Sequence, residues 1–340
     1  MRNQMTRIWR TPSVSSGPLG RRAFLARLMV LASSPVWLMG CARSRPLSVG
    51  IHPWIGYESL YLAREFGWLP PGVNLHEGKV ASDSMASLQA GQIDAAALTL
   101  DEVLQVRAAG VPLVAVLVFD VSAGADMVLA RPGIDTLKQL AGKRIGVERS
   151  AVGALMLAKT LEAAGLFAND VTVLDLPPDR QLAAWHAGEV DVVATYEPTA
   201  SLLKREGAVQ LFDSRQMPDT IFDVLAVRQD RVAGRELILS ALLSAHFKAL
   251  DHLRINRQDG LYRISAHEGI QFSEAQRALN GIELPDLQGN QGYLSSGGHL
   301  AQAATEISRL MTARGLLPRP DSLLELVDAR YLALAEGENR

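Results

Sequence analysis

From Leu47 onward the chain alternates short β-branched or apolar runs with stretches of helical period. LSVGI (47–51), VNLHE (73–77), DAAAL (94–98) and LVAVLVF (113–119) predict strands, and residues 57–65, 82–90 and 101–109 predict helices between them. Gly91 and Gly110 stop two of those helices, as glycine does just past a C-terminal cap. The second half repeats the plan. RIGVE (144–148), VTVLDL (171–176), VVATY (192–196) and VQLF (209–212) read as strands, with helices over 150–164, 179–187 and 198–206. Strand and helix in alternation predict parallel sheets covered on both faces. After Gly234 the pattern turns helical, over 237–255, 273–280, 298–314 and 321–335.

One phrase occurs twice. AGQIDAAALTLDE (90–102) returns as AGEVDVVATYEPT (187–199), 97 residues later. Each copy reads as a helix end, a turn with Asp, a buried strand and the start of the next helix. The chain therefore holds two α/β lobes of the same local plan. For Gly91, Gly188, Asp94 and Asp191, turn and cap chemistry is a sufficient role. The residues just past the strands carry a different expectation. Ligands of open α/β sheets sit beyond the carboxyl ends of the strands, and Thr99, Asp101, Glu102, Tyr196 and Glu197 are at those ends.

The first 40 residues stand outside this plan. A basic lead with Arg21 and Arg22, an apolar run over 28–40 and the ending Leu38-Met39-Gly40-Cys41 predict a signal peptide rather than a transmembrane segment. The ending resembles a bacterial lipobox, in which Cys41 would receive lipid and become the mature N-terminus. Twin-arginine and ordinary export both stay open, because Gly20 stands where Ser or Thr is usual. Cys41 is the only cysteine, which leaves no disulfide framework and no thiolate chemistry. A net charge of −2 gives no basis for nucleic-acid binding or an electrostatic membrane grip. The seven histidines show no paired metal spacing, and no phosphate loop, nucleophile elbow or dinucleotide fingerprint has a convincing context. Neither a metal nor a cofactor is expected.

The ordered segments VGIHPWIGYESLYLAREFGWL, SDSMASLQAGQIDAAALTLDE, LKQLAGKRIGVERSAVGALMLAKTLEAAGL and AGEVDVVATYEP resemble the solute-binding proteins of ABC importers. The branch is that of nitrate, sulfonate, taurine and thiamine-pyrimidine receptors, and the likeness runs from about residue 46 to 228. It implies a type II periplasmic-binding fold, α/β in class. Two lobes would close on a small ligand, with residues 41–123 plus 220–340 in lobe 1 and 124–219 in lobe 2. It implies site residues at Trp54, Tyr57 and Glu58, at Ser82, Asp83 and Ser84, and at Thr99, Asp101 and Glu102. It also implies Ser122 and Asp126 at the first lobe crossing, Ser150 and Ala151 after the GVER strand, Tyr196 and Glu197, and Asp223 near the return crossing. The partners implied are a small-molecule ligand, a permease with its ATPase, and a membrane through the lipid anchor. The expected state is a periplasmic or cell-surface monomer that is not an enzyme. A ligand-binding sensor is the alternative, followed by an enzyme of thiamine-pyrimidine or menaquinone type on the same fold.

Several of these residues have plainer roles. Ser82, Asp101 and Ser150 are ordinary N-cap types, and Glu58 and Glu197 are ordinary first-turn acids. The charge pattern favours a site all the same. The loops hold Glu58, Asp83, Asp101, Glu102, Asp126, Glu197 and Asp223, with Arg149 as their one basic residue. An oxyanion receptor would surround its ligand with N–H donors and little negative charge. An acid-rich, aromatic cleft suits an amine, a cationic heterocycle or a ring bearing amino groups. Glu58 and Glu197 are expected to face that solute from opposite lobes.

Overall fold

A computed structural model describes residues 45–332. The predicted signal peptide and Cys41 lie outside the described residues. The described chain forms two mixed sheets. The first is built from β1 (Leu47–Ile51), β2 (Val73–Glu77), β3 (Ala95–Thr99), β4 (Leu113–Ser122), β10 (Phe222–Arg228) and β11 (Ile282–Glu283), in the order β11-β4-β10-β3-β1-β2. The second is built from β5 (Asp126–Ala130), β6 (Arg144–Val147), β7 (Thr172–Asp175), β8 (Val192–Tyr196) and β9 (Val209–Asp213), in the order β7-β6-β8-β5-β9. The chain passes between the sheets at 123–125 and returns over 214–221.

The sheets are not purely parallel. β10 runs antiparallel to both β3 and β4, and β5 runs antiparallel to both β8 and β9. These two strands are the ones that follow the crossings, and neither was expected from the hydropathy pattern. Each is buried on both faces, so its sequence (DMVLA or FDVLAVR) shows no alternation to mark it.

The repeated phrase does the same structural work in both sheets. Asp94 accepts the N–H of Ser48 on β1 at 3.1 Å, and Asp191 accepts the N–H of Arg144 on β6 at 2.9 Å. The β-branched residue before each Asp packs over a strand glycine. A Cβ on Gly50 would meet Ile93 at 2.6 Å, and one on Gly146 would meet Val190 at 3.1 Å. Only a bare backbone lets the helix-to-strand turn come so close. The turn reading for these residues is therefore sufficient.

Helices cover the sheets: α1 (Glu58–Glu65), α2 (Ala81–Gln89), α3 (Leu100–Ala108), α4 (Val152–Ala164), α5 (Pro178–His186) and α6 (Thr199–Arg205). After β10 come α7 (Gln229–Val232), α8 (Glu236–Ile255), α9 (Arg257–Glu268), α10 (Phe272–Leu279), α11 (Leu287–Tyr293) and α12 (His299–Ala313). α9 and α11 were not expected. The helix predicted over 321–335 is absent across 321–329: Leu323 and Glu325 have positive φ, and Val327 bridges Ala115 of β4. Its leucines mimic a helical spacing, but Arg107 holds Asp321 at 3.0 Å and the N–H of Ala115 donates to Leu326, fixing an irregular strap. Among the described residues no helix is long and apolar enough to cross a membrane.

Candidate functional site: an enclosed group of acids between the lobes

The ends of the strands in both sheets meet between the lobes. Asp120, near the end of β4, stands opposite Asp223 of β10, and Thr99, last in β3, stands opposite Asp223 on its other side. In the second sheet Asp126 opens β5 opposite Tyr196, last in β8. Glu148 directly follows β6, while Asp101 and Glu102 lie in the first turn of α3. Aromatic residues complete the enclosure. The indole N–H of Trp54 donates to Asp120 Oδ2 at 3.1 Å, and the Tyr57 hydroxyl donates to Asp223 Oδ1 at 2.5 Å. Trp54 meets Tyr196 edge-on across the lobes, with ring centroids 5.6 Å apart. Gly56 makes the first contact possible, since a Cβ there would lie 1.8 Å from Asp120 Oδ2.

Asp101, Glu102, Asp120, Asp126, Glu148 and Asp223 are each no more than 3% exposed. Burial disfavours their charged forms. It pushes Asp101 up to about 6 and Asp126 up to about 7. Glu102, Asp120 and Asp223 are driven further up, first by burial and then by neighbouring acids. Asp120 and Asp223 stand opposite each other on β4 and β10, and each has one oxygen, Asp120 Oδ1 and Asp223 Oδ2, buried without a hydrogen-bond partner in the protein. His52, also buried, is held down at about 4 and stays neutral beside Tyr57. Asp101 Oδ2, Asp126 Oδ2, Glu148 Oε2 and the Tyr196 hydroxyl have no hydrogen-bond partner in the protein. Such groups are costly to bury unsatisfied, and together they call for donors or positive charge.

Two bonds join the lobes across this group. Glu102 Oε2 accepts the Thr99 N–H at 2.9 Å and caps its own helix, while Oε1 accepts the Val152 N–H of α4 at 3.2 Å. In the opposite sense, Glu148 Oε1 accepts the Ser82 N–H of α2 at 3.3 Å.

The structure thus brings together Trp54, Tyr57, Thr99, Asp101, Glu102, Asp126, Tyr196 and Asp223, with Ser82 touching Glu148. Other expected residues are placed elsewhere. The Glu58 carboxylate turns away and sits 2.7 Å from His267 Nδ1, with Glu268 beside it, and burial lifts it to about 8. α1 packs against α9, and Glu58 lies on the face of α1 that meets His267 and Glu268. Among the described residues, Glu58, His267 and Glu268 are the one group of His, Cys, Asp or Glu whose ligand atoms gather within 4.8 Å as a metal ion would need. Glu197 accepts the Ser201 N–H at 2.9 Å and caps α6, beside Lys204 and Glu274. Asp83 is exposed and caps α2 through the Lys79 N–H at 2.8 Å. Ser84 is buried under Gly50. Ser122 belongs to the crossing, where its hydroxyl meets Ser214 Oγ at 2.8 Å. Ser150 is exposed because α4 starts at Val152, which makes Ala151 the N-cap. Asp120 and Glu148 were missed. Asp120 interrupts the apolar run LVAVLVF-D-VS, and Glu148 ends the strand RIGVE; a lone acid in a buried strand or at its carboxyl end was the available signal.

The enclosed site at the strand ends of two linked α/β lobes defines the type II periplasmic-binding fold. The model of the family described as NMT1/THI5 like matches residues 58–258, and the chain belongs to that family. The taurine-binding periplasmic protein of Escherichia coli is 28% identical over 123 residues, which span 35% of this chain and 38% of that protein. The chain thus matches little more than a third of that relative's length. The alkanesulfonate-binding protein SsuA of Xanthomonas axonopodis pv. citri, solved bound to MOPS, superposes with a TM-score of 0.68 at 21% identity, over 83% of this chain and 96% of that one. The desulfurization enzyme DSZB superposes with a TM-score of 0.64 at 18% identity, over 86% of this chain and all of that one (100%), so the same fold also carries catalysis.

Proposed function

We propose that this protein is an extracytoplasmic receptor that binds a small, nitrogen-containing, cationic solute and passes it to an ABC import permease with its ATPase. The family, the fold and the receptors among its relatives support binding and delivery. The chemistry of the solute rests on one observation: carboxylate oxygens of Asp101, Asp126 and Glu148 are buried between the lobes without a partner. An ammonium, amidine or amino-heterocycle would supply N–H donors and neutralise the acids, and each charge-assisted bond is worth about 1.5–3 kcal/mol. Trp54, Tyr57 and Tyr196 give such a cation aromatic walls. The cleft acids do not gather within 4.8 Å of one another as the Glu58 group does. That spread fits an organic solute better than a bare metal ion. The receptor is not an enzyme in this reading, and Cys41 anchors it by lipid near its permease.

Thermal unfolding with a panel of amines, amino-pyrimidines, sulfonates and nitrate tests the solute class. A ligand at 100 times its Kd adds about 2.7 kcal/mol. Stabilisation by amines or amino-heterocycles is expected, and stabilisation by nitrate or sulfonates alone would overturn it. Mass spectrometry of membrane-extracted protein tests the anchor, which an unmodified Cys41 would refute.

A further inference from the structure

Two of the helices that start at the cleft have an N-terminal N–H already bonded to an acid of the opposite lobe. The N-terminus of a helix carries unpaired N–H groups and a partial positive charge, and so attracts anions. α4 (13 residues) points its first N–H, that of Val152, at Glu102 of the opposite lobe. α2 (9 residues) points the N–H of Ser82 at Glu148 of the opposite lobe. The arrangement is reciprocal: each lobe sends one carboxylate into the helix start of the other. Both carboxylates are fully enclosed, Glu102 at 1% and Glu148 at 3% exposure. Each also keeps a second role. Glu102 uses its other oxygen to cap α3, and Glu148 keeps Oε2 unpartnered and buried.

We propose that Glu102 and Glu148 are the residues that set this cleft against oxyanions, by filling with the chain's own carboxylates the two helix N-termini where an anionic solute would sit. The inference rests on the cationic-solute reading and adds its selectivity mechanism. An incoming sulfonate or nitrate would have to displace a tethered carboxyl oxygen that already accepts the same N–H. It would then lie beside the displaced acid, with Asp101 and Asp126 close by. A cation meets the opposite situation. The helix starts already hold Glu102 Oε1 and Glu148 Oε1 in place, and Glu148 Oε2 is left to accept from the solute. Selectivity arises here from what the site repels as much as from what it attracts.

The test is a gain of function. Methanesulfonate is titrated calorimetrically into the full chain, its Glu148→Ala variant and its Glu102→Ala/Glu148→Ala variant at pH 5.5, where Asp101 and Asp126 are mostly neutral. Wild type is expected to give no measurable binding. Glu148→Ala should bind at least tenfold more tightly than wild type, and the double variant more tightly again. Glu148→Ala serves as the safe variant for folding, because Glu148 caps no helix of its own lobe, whereas Glu102 caps α3. Folding of both is checked by circular dichroism and a cooperative melt. A folded Glu148→Ala protein with no gain overturns the proposal, and so does a wild type that binds methanesulfonate as tightly as the variants. The amine panel on wild type reads the solute class separately. A missing anion gain in the variants therefore leaves that reading standing, and a missing amine leaves the anion result interpretable.

Discussion

The two lobes are the same device assembled twice, yet their corresponding strand ends do different things. In both, an Ala-Gly turn ends a helix, an Asp pins the first strand and a buried strand runs toward the cleft. Beyond β3 the first lobe places Asp101 and Glu102, both enclosed with the other cleft acids. Beyond β8, 97 residues later, the second lobe places Pro198 and Thr199 at the matching positions, and Glu197 is spent on its own helix. The second lobe draws its cleft acids from other strands instead: Asp126 at the start of β5 and Glu148 after β6. A repeated scaffold thus fixes where chemistry can stand but not which residue stands there.

The scaffold itself differs in how deeply each pinning Asp is held, and that gives the largest expected effect. Asp94 is 2% exposed, with Arg235 at 2.8 Å and Arg231 at 3.6 Å, both from the segment after β10. Asp191 meets Arg144 at 2.7 Å in a pair that is much more open to water. Asp94→Ala leaves the half-buried Arg231 and Arg235 without their carboxylate and should cost about 3 kcal/mol. Asp191→Ala should cost about 1 kcal/mol, the scale of a solvated pair with one backbone hydrogen bond. Urea unfolding measures both, and equal losses would show that the lobes are pinned alike.

The next effect is confined to the first lobe. Gly56→Ala puts a methyl where Asp120 Oδ2 now receives the Trp54 indole N–H. Asp120 and Trp54 must part, and affinity for the amine found in the screen should fall by roughly tenfold or more, the equivalent of one charge-assisted bond. Gly146→Ala, which crowds Leu176 and Val190 in the second lobe, should lower stability instead and leave affinity nearly unchanged. Affinity equally weakened by both would erase the distinction between site glycine and scaffold glycine.

Much of this was legible in the sequence. The alternation of strands and helices, the repeat and the crowding of acids at strand ends all survive in the structure, because hydropathy period and turn chemistry are local. Side-chain direction was less legible. Glu58 and Glu197 stand next to the strand ends in sequence, yet Glu58 packs against His267 and Glu197 caps α6, contacts set by helices that follow later in the chain or by the helix start itself. Glu148 looked like the end of a strand, while Ser150 two residues later looked like the cap; where α4 starts decides between them, and helix starts are poorly marked when the cap is Ala151. β5 and β10 were invisible for another reason. A strand buried on both faces has no period of two, and its antiparallel direction follows from the crossing, which is a property of the whole chain.

The pH response separates the acids from the rest. Asp126 at about 7 and Glu58 at about 8 have folded values raised above their unfolded ones, so the folded state holds their protons longer. Their contribution is complete below the ordinary carboxyl range and is lost as pH rises through 7 and 8. Glu102, Asp120 and Asp223 act in the same direction. His52 and His246 act oppositely, because burial holds them at about 4 and about 3, so their cost appears only as pH falls below about 6.5. The ligand-free protein should therefore lose about 2 kcal/mol between pH 6.5 and 8. Asp126→Asn and Glu58→Gln should each flatten part of that slope. Cation binding should strengthen over the same range, and of the two variants only Asp126→Asn should blunt it. A slope unchanged in both would mean that these carboxyls ionise normally.

The smallest expected effect is the sharpest test of the comparison between strand ends. Glu197 is buried, lies in the second copy of the repeat and follows Tyr196, whose hydroxyl faces the cleft acids. On sequence position it matches Leu100 and is the one acid that the second copy of the repeat places beyond its strand, as the first copy places Asp101 and Glu102. Its carboxylate, however, accepts the Ser201 N–H and is surrounded by Lys204 and Glu274, with none of the cleft acids among the charges that shift it. Glu197→Gln keeps an oxygen that can accept that N–H, so the cap survives and stability should fall by no more than about 0.5 kcal/mol. Affinity for the amine should stay within about twofold, while Glu148→Gln, which removes the free oxygen between the lobes, should weaken it by roughly tenfold. Calorimetry on the two variants against one amine decides the matter. A tenfold loss in Glu197→Gln would mean that the second copy of the repeat gives the solute a carboxylate as well as Tyr196, and that the lobes share their chemistry as well as their plan.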